Sequence, residues 1–265
     1  MADGMYYYGQ GRVYLARYGS SEGYRFVGDV SALTLSLRAE RKGAKGSYGG
    51  RLATRASHIV EHTGSVSATW FDFNAENLAT VLHGTALEIN PARVRDELLP
   101  GAIRPGLRYP LQHQGVWGVA IEGLDENVDY IVDESYGVIE FFSEHPTSLS
   151  VEYWYAGGTT TSVFTDDKQI FSLRYEGMNL VEDNCPILLE LYKLEFDPVS
   201  EIALINNDVE LASLGINATL MLDLLKPADN HLGRFGHITN ITQLGVRYGG
   251  TINYDGHYNY RGMRN

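Results

Sequence analysis

Hydrophobic and polar residues alternate with a period of two in many short segments of this chain. Leucine occupies every second position from 33 to 37, and apolar residues occupy every second position from 66 to 70. This period is that of a half-buried β-strand. Further strands are predicted over residues 11–18, 24–30, 116–122, 130–133, 138–142, 149–155, 169–176, 187–196, 201–205 and 216–222. Short strands at this spacing predict a mainly β fold, in which two antiparallel sheets pack as a sandwich or barrel.

One flanking α-helix is predicted over residues 72–83. Its apolar residues fall on one stripe of a helix: Phe71, Ala75, Leu78, Ala79 and Leu82. Asp72 or Asn74 can cap its N-terminus, and Gly84 provides a left-handed stop. A second, short helix is predicted over residues 90–98, because Pro91 is suited to a first helical position. The run 187–196 has apolar residues on both faces, so this strand is expected away from a sheet edge.

A long, basic, glycine-rich loop is predicted over residues 38–64, between two of the strands. Residues 38–55 contain six basic residues and the single acid Glu40. Four glycines lie at positions 43, 46, 49 and 50, and they argue against a regular hairpin with a two-residue turn. Connections of this length commonly have a binding function or are disordered.

Net charge and cysteine content narrow the class of protein. The formal net charge of −12 argues against a sequence-reading nucleic-acid binder, which needs clustered cations. Residues 115–195 carry sixteen acids against three bases, as a solvated surface does. The single cysteine, Cys185, excludes an internal disulfide framework and is predicted to be an inert core thiol. Residues 1–10 lack a basic leader and no apolar run reaches about 18 residues, so we expect a soluble, unexported protein without membrane contact.

Catalytic motifs are not found. A glycoside hydrolase needs two carboxylates at a defined separation. One acidic segment offers such residues, although dense acids in turns are more often solvated: Asp125, Glu126, Asp129, Asp133 and Glu134. His58 and His62 have the spacing of a helical zinc site, but Thr63 and Gly64 argue against a helix there. The sequence therefore predicts a protein that is not an enzyme and that has no catalytic residue, cofactor or metal.

Four segments in order resemble the tail tube proteins of long-tailed bacteriophages. They are GRVYLA at 11–16, GDVSALTLSL at 28–37, FDFNAENLA at 71–79 and LYKLEFDP at 191–198. The resemblance spans about residues 9–225. It implies a tail tube β domain, assigned to 1–232, with a C-terminal extension at 233–265. It further implies hexameric rings whose sheets form a continuous inner barrel, stacked into the hollow tube of the virion tail through which DNA passes into the host.

The resemblance also implies that the long loop reaches the neighbouring ring. A basic loop facing an acidic patch supplies complementary charge and orientation, and its candidate residues are Arg41, Lys42, Lys45, Arg51 and Arg55. An acidic bore would let DNA slide, because repeated acids repel a polyanion. The candidate lumen acids are Glu122, Asp133, Glu140 and Glu152.

The implied partners are other copies of the chain, with tape-measure, tail-terminator and distal tail proteins, and DNA only as non-specific passing cargo. Assembly would take place in the cytoplasm of the bacterial host. The alternative function is a carbohydrate- or receptor-binding β-sandwich module. Eighteen tyrosines and three tryptophans, Trp70, Trp117 and Trp154, offer aromatic surface on which sugars stack.

Overall fold

The computed structural model describes residues 6–48, 51–181, 185–207, 211–227, 232–241, 246–248 and 252–254, with the backbone alone at 48, 51–53, 246–248 and 252–254. These residues form strands and one helix in the following order: β1 Gly9–Arg17, β2 Arg25–Phe26, β3 Val30–Tyr48, β4 Arg51–Trp70, α1 Ala75–Val81, β5 Ala86–Ile89, β6 Ala92–Leu98, β7 Arg108–Pro110, β8 Val116–Ile121, β9 Tyr130–Asp133, β10 Val138–Phe141, β11 Ser150–Tyr155, β12 Gly158–Thr161, β13 Ile170–Asn179, β14 Cys185–Phe196, β15 Leu214–Leu220, β16 Gly236–Asn240, β17 Val246–Tyr248 and β18 Ile252–Tyr254. The mainly β, antiparallel fold with a single helix is therefore confirmed.

The chain divides into two compact units. Unit 1 comprises Met1–Thr85 and Ser162–Asn265, and unit 2 comprises Ala86–Thr161. Unit 1 holds an eight-stranded sheet of order β2-β1-β13-β14-β15-β4-β3, with β16 on β14. Unit 2 holds two three-stranded sheets, β7-β10-β9 and β6-β11-β8, and the pair β5-β12. The single β domain predicted over 1–232 therefore contains a second unit, which the strand periodicity did not indicate.

The core of unit 1 follows the predicted period of two. In β15 the buried residues Leu214, Ile216, Ala218 and Leu220 alternate with exposed ones. The rings of Phe196 and Trp70 pack against each other, with 5.9 Å between their centroids. Strand β14 pairs with β13, β15 and β16. The prediction that 187–196 lies away from a sheet edge is confirmed.

Helix α1 is shorter than predicted, and its buried face includes residues outside the predicted apolar stripe. It begins after Asn74, whose side chain accepts a hydrogen bond from the Asn77 N–H at 2.8 Å. Its buried residues are Asn77, Ala79, Thr80 and Val81, whereas Leu78 is only half-buried. Of the predicted stripe, Ala79 is buried and Leu82 packs on the core. The stripe did not include the polar pair Asn77 and Thr80, which are buried because Arg25 of β2 bonds to them.

The end of α1 differs from its prediction in one residue. His83, with φ of 51°, takes the left-handed conformation that was predicted for Gly84. Gly84 is needed for a different reason. A Cβ atom at this position would lie 1.8 Å from the carbonyl oxygen of Ser162, so only glycine permits this close approach of the two backbones.

Two other sequence predictions are wrong. Residues predicted as the helix 90–98 form strand β6, which pairs with β11, and Val94 packs on the core of unit 2. The predicted strand 201–205 is absent from the structure, where Leu204 and Ile205 are exposed. The pairing of β6 with β11, a strand distant in sequence, overrode the local helix signal at 90–98. In the segment assigned as the C-terminal extension, the described residues include β16, which pairs with β14.

Unit 2 has its own apolar core. Ile139, Phe141, Val151 and Tyr153 are fully buried in it. The two ends of the unit are joined by β5 and β12, which pair from Ala86↔Thr161 to Ile89↔Gly158. Unit 2 is thus a nested module whose first and last strands are hydrogen-bonded to each other.

Candidate functional site

The longest β-hairpin extends beyond the main sheet. Strands β3 and β4 pair from Arg38↔Thr63 to Tyr48↔Arg51, while β15 stops pairing with β4 at Gly64. We call residues 38–48 and 51–63 the arm. The prediction of a loop at 38–64 is wrong, because the glycines at 43 and 46 lie within a strand and only residues 49 and 50 separate β3 from β4.

The arm is basic and exposed. It contains six basic residues and the acids Glu40 and Glu61, a net charge of +4. Apart from Gly46, each residue of the arm whose side chain is described is exposed. Of the predicted inter-ring residues, four are exposed here and form no ion pair within the described part of the chain: Arg41, Lys42, Lys45 and Arg55. The fifth, Arg51, lies opposite Tyr48, and its side chain is outside the described residues.

Two β-bulges interrupt the regular pairing of the arm. The register shifts between Glu40 and Arg41 and again between Ala44 and Lys45, leaving Val60 and Arg55 of β4 without opposite partners. Bulges and cationic side chains are two devices that keep exposed strand edges from pairing at random. The strand edges of the arm can therefore remain exposed for a specific contact without promoting aggregation.

In the part of the chain that the structure describes, neither hydrophobic core includes a residue of the arm. A two-stranded ribbon that buries neither face is marginally stable in water. At about 3.3 Å per residue, the eleven residues from Arg38 to Tyr48 extend roughly 35 Å. Glu40 also lies directly opposite Glu61, and like charges in this position destabilise a ribbon. These properties fit a segment that is stabilised by contact with another surface.

An apolar hollow lies at the root of the arm. Leu37, Gly64, Leu220 and Phe235 line a cavity of about 310 Å³ there. The Leu37 side chain is exposed, although it continues the leucine alternation of β3. The arm thus combines charged side chains along its length with apolar surface at its base.

The four candidate lumen acids all lie in unit 2, but on different elements. Asp133 is in β9 and Glu140 in β10, on one sheet, whereas Glu152 is in β11, on the other. Glu122 is exposed and follows the end of β8. The structure brings only Asp133 and Glu140 together, since both bind the same arginine.

Arginines partly neutralise three of these acids. Arg108 contacts Asp133 at 2.5 Å and Glu140 at 3.1 Å, and Arg93 forms an ion pair with Glu152. The sequence did not indicate these pairs, because they depend on which strands are neighbours. Unit 2 nevertheless carries twelve acids against four bases, a net charge of −8.

Unit 2 also contains a buried polar network that sequence reasoning missed. The hydroxyl of fully buried Tyr153 donates to the Glu97 carboxylate and lies 3.1 Å from Nδ1 of His113. The His113 ring stacks on Tyr155 with 3.7 Å between centroids. Burial, followed by the hydrogen bond to Glu97, raises the pKa of Tyr153 far above its ordinary value. Tyr153 therefore stays protonated as a donor and links β11 to β6.

Other chemistry-bearing residues occupy structural positions. The Asp129 carboxylate accepts the backbone N–H of Asp125 at 2.9 Å, which closes a turn. His58 and His62 are both exposed on the arm. No group of three or more His, Cys, Asp or Glu side chains with metal-binding geometry occurs among the described residues. Cys185 is a half-buried free thiol at the start of β14.

Of the three tryptophans, Trp70 is buried in unit 1, so it offers no surface to a ligand. Trp117 and Trp154 are exposed in unit 2. A sugar-stacking surface that included all three is therefore excluded.

Comparison with known proteins gives one family. The family model described as "Protein of unknown function UCP028589" matches residues 6–239, and no curated protein matches the chain. In the part of the chain that the structure describes, no helix is both long and apolar enough to cross a membrane. Because the match covers most of the sequence, the chain belongs to the family described as protein of unknown function UCP028589.

Proposed function

We propose that this protein is a structural virion protein that polymerises as stacked hexameric rings into the hollow tail tube of a long-tailed phage. The arm is the observation that carries the proposal. It extends from the segment 28–37, which resembles those proteins, and its exposed cations have no ion-pair partner among the described residues of their own chain. A second copy supplies the missing surface.

Charge distribution supports stacking between copies. The arm has a net charge of +4 in a chain of net charge −12. Opposite charges on two surfaces of the same polypeptide steer and orient the approach of copies, and this attraction weakens as salt increases. A uniformly acidic subunit would instead repel its neighbours.

The open sheet of unit 1 supports closure into rings. The sheet ends at β3 on one side and at β1 with the two-residue β2 on the other. Exposed strand edges promote uncontrolled pairing, and a closed ring removes both edges by joining them. The number of six subunits rests on the resemblance to tail tube proteins.

An acidic bore is the proposed path for DNA. Glu122, Asp133, Glu140 and Glu152 remain its candidates, and Glu122 is the one without an ion-pair partner in the described structure. Repetition of each carboxylate around a ring would strengthen repulsion of DNA, which carries about one negative charge per 1.7 Å of duplex. The tube would then guide DNA without holding it.

The remaining partners follow from the same proposal. A tape-measure protein would fill the growing tube, and tail-terminator and distal tail proteins would close its ends. Assembly would occur in the host cytoplasm, and the mature location would be the virion tail.

Charge reversal on the arm tests the proposal. The triple variant Arg41→Glu, Lys42→Glu, Lys45→Glu changes the charge of exposed residues only, so we expect a folded protein that forms no tubes or short ones. The measurement is negative-stain electron microscopy of purified protein at matched concentration, with circular dichroism as the check on folding.

A matched control separates position from charge. Arg95, Arg104 and Lys168 are also exposed and lack ion-pair partners in the described structure. Changing these three to glutamate alters the net charge by the same amount, and this variant should still assemble. Tubes of unchanged length from the arm variant would contradict the role of the arm.

A further inference from the structure

Two tryptophans lie side by side on the outer face of the sheet β6-β11-β8 in unit 2. Trp117 of β8 and Trp154 of β11 are opposite each other in register, and residues directly opposite in antiparallel strands point to the same side. Their exposed fractions are 45% and 44%. Their neighbours Val116 and Tyr153 are buried on the other face. The pair forms an exposed aromatic surface, which we call the indole platform.

Gly118 and the ion pair of Arg93 with Glu152 border the platform. Gly118 follows Trp117 with φ of 60°, and a Cβ atom on it would lie 3.7 Å from Cδ1 of Trp154. Gly118 itself therefore places no side-chain atom against that indole. The Arg93 guanidinium carbon lies over one face of the Trp154 ring, 5.3 Å from its centroid, and Arg93 forms an ion pair with Glu152.

This combination matches the chemistry of a sugar ring. A pyranose with equatorial hydroxyl groups presents flat C–H faces, which stack on an aromatic ring, and a rim of hydroxyls. Among the described residues, Arg93 binds Glu152 through one nitrogen, so its other N–H groups are available there as donors, and the second Glu152 oxygen is available as an acceptor. A sugar hydroxyl can accept a hydrogen bond from Arg93 and donate one to Glu152.

Charge restricts the class of ligand. Unit 2 has a net charge of −8 and contains no lysine. Nucleic-acid bases also stack on indoles, but their phosphates require a basic surface. Anionic glycans are disfavoured for the same reason. We propose that the indole platform is a binding site for a neutral, gluco-configured polysaccharide.

This site is independent of tube assembly. It uses residues of unit 2 only, and none of the arm. Loss of tubes would leave the saccharide site untouched, and loss of saccharide binding would leave the assembly proposal untouched.

The test is titration calorimetry of the full-length protein with cellohexaose and chitohexaose. We expect the wild type to bind at least one of the two oligosaccharides. Trp117→Ala and Trp154→Ala should each weaken binding roughly threefold to tenfold, as expected for the loss of one stacked ring, and the double variant should abolish measurable binding. Phe142→Ala, which removes an exposed aromatic residue elsewhere in unit 2, should bind as the wild type does.

The conservative variant Trp117→Phe keeps an aromatic face and should retain part of the affinity. It keeps the test valid if an alanine variant does not fold. The proposal is overturned if the wild type binds neither oligosaccharide, or if the folded double variant binds like the wild type. It is also overturned if the platform instead mediates self-association, seen in sedimentation as a dimer that the double variant loses while no sugar binds.

Discussion

Asn77 is the buried polar centre of unit 1, and replacing it provides the sharpest test of how the unit is held together. Its side chain is fully buried. Nδ2 donates to the carbonyl oxygens of Val27 at 2.7 Å and Asp72 at 2.9 Å, and Oδ1 accepts from Arg25 at 2.6 Å. One side chain thus fastens α1 to Arg25 of β2, to Val27 directly after that strand and to Asp72 before the helix.

The substitution Asn77→Leu keeps the number and branching of the side-chain heavy atoms and suits a helix. It removes three hydrogen bonds and leaves two carbonyl oxygens without their side-chain donor. Each buried unsatisfied group costs about 1–3 kcal/mol. Arg25 keeps its contacts with Glu76 and Thr80, and burial of the leucine offsets part of the loss. We expect the free energy of unfolding of unit 1 to fall by about 3 kcal/mol.

Urea unfolding followed by the fluorescence of Trp70 measures this change. Trp70 is 1% exposed in unit 1, and Phe in place of Trp117 and Trp154 makes it the single reporter. Asn217→Leu, at an exposed position of β15, is the matched control and should change stability by less than about 0.5 kcal/mol. An Asn77→Leu protein as stable as its parent would refute the assigned role of these hydrogen bonds.

Three further predictions follow. Thr85 and Ser162 hydrogen-bond to each other at 2.9 and 3.1 Å, so joining them by a short turn in place of unit 2 should leave unit 1 folded with its urea midpoint unchanged. Unit 2 should lose stability above about pH 10, because the folded state keeps the Tyr153 proton that the unfolded state releases. The loss for this one group is about 1.4 kcal/mol per pH unit. Tyr153→Phe should weaken this pH dependence, measured by thermal unfolding. Glu61→Lys turns the like-charge pair of Glu61 and Glu40 into a pair of opposite charges. It should slow amide hydrogen exchange in the arm by up to about fivefold.

Each of these predictions has a contradicting result. Aggregation of the shortened chain would show that unit 1 requires the nested unit. An alkaline loss of stability in Tyr153→Phe equal to that of the wild type would assign the titration to other groups. Unchanged or faster exchange in Glu61→Lys, with Glu61→Gln as the control, would mean that the two carboxylates do not strain the arm.

Sequence periodicity predicted the regular strands well, because burial on one face of a sheet leaves a local pattern. The segments around Val13, Tyr130 and Leu194 are examples in which predicted and observed strands overlap closely. The arm could not be recognised from periodicity, because both of its faces are exposed. Its glycines and cations suggested a loop, although they lie in paired strands.

Pairings between distant residues explain the other differences. The position of the helix could be predicted, but its buried polar residues could not, because Arg25 binds Asn77 from a separate strand. The ion pairs of Arg108 and Arg93 with the candidate lumen acids likewise depend on strand neighbours. The basic character of 38–55 and the exposure of four of its five candidate cations could be predicted, since charge is read directly from the residues.

Electron microscopy of the purified protein over a range of concentrations tests the central claim most directly. The account predicts rings with sixfold rotational symmetry that stack into hollow tubes, and it predicts that high salt shortens them because arm contacts are screened. A protein that stays monomeric at the highest concentration, or rings of another symmetry that never stack, would contradict it.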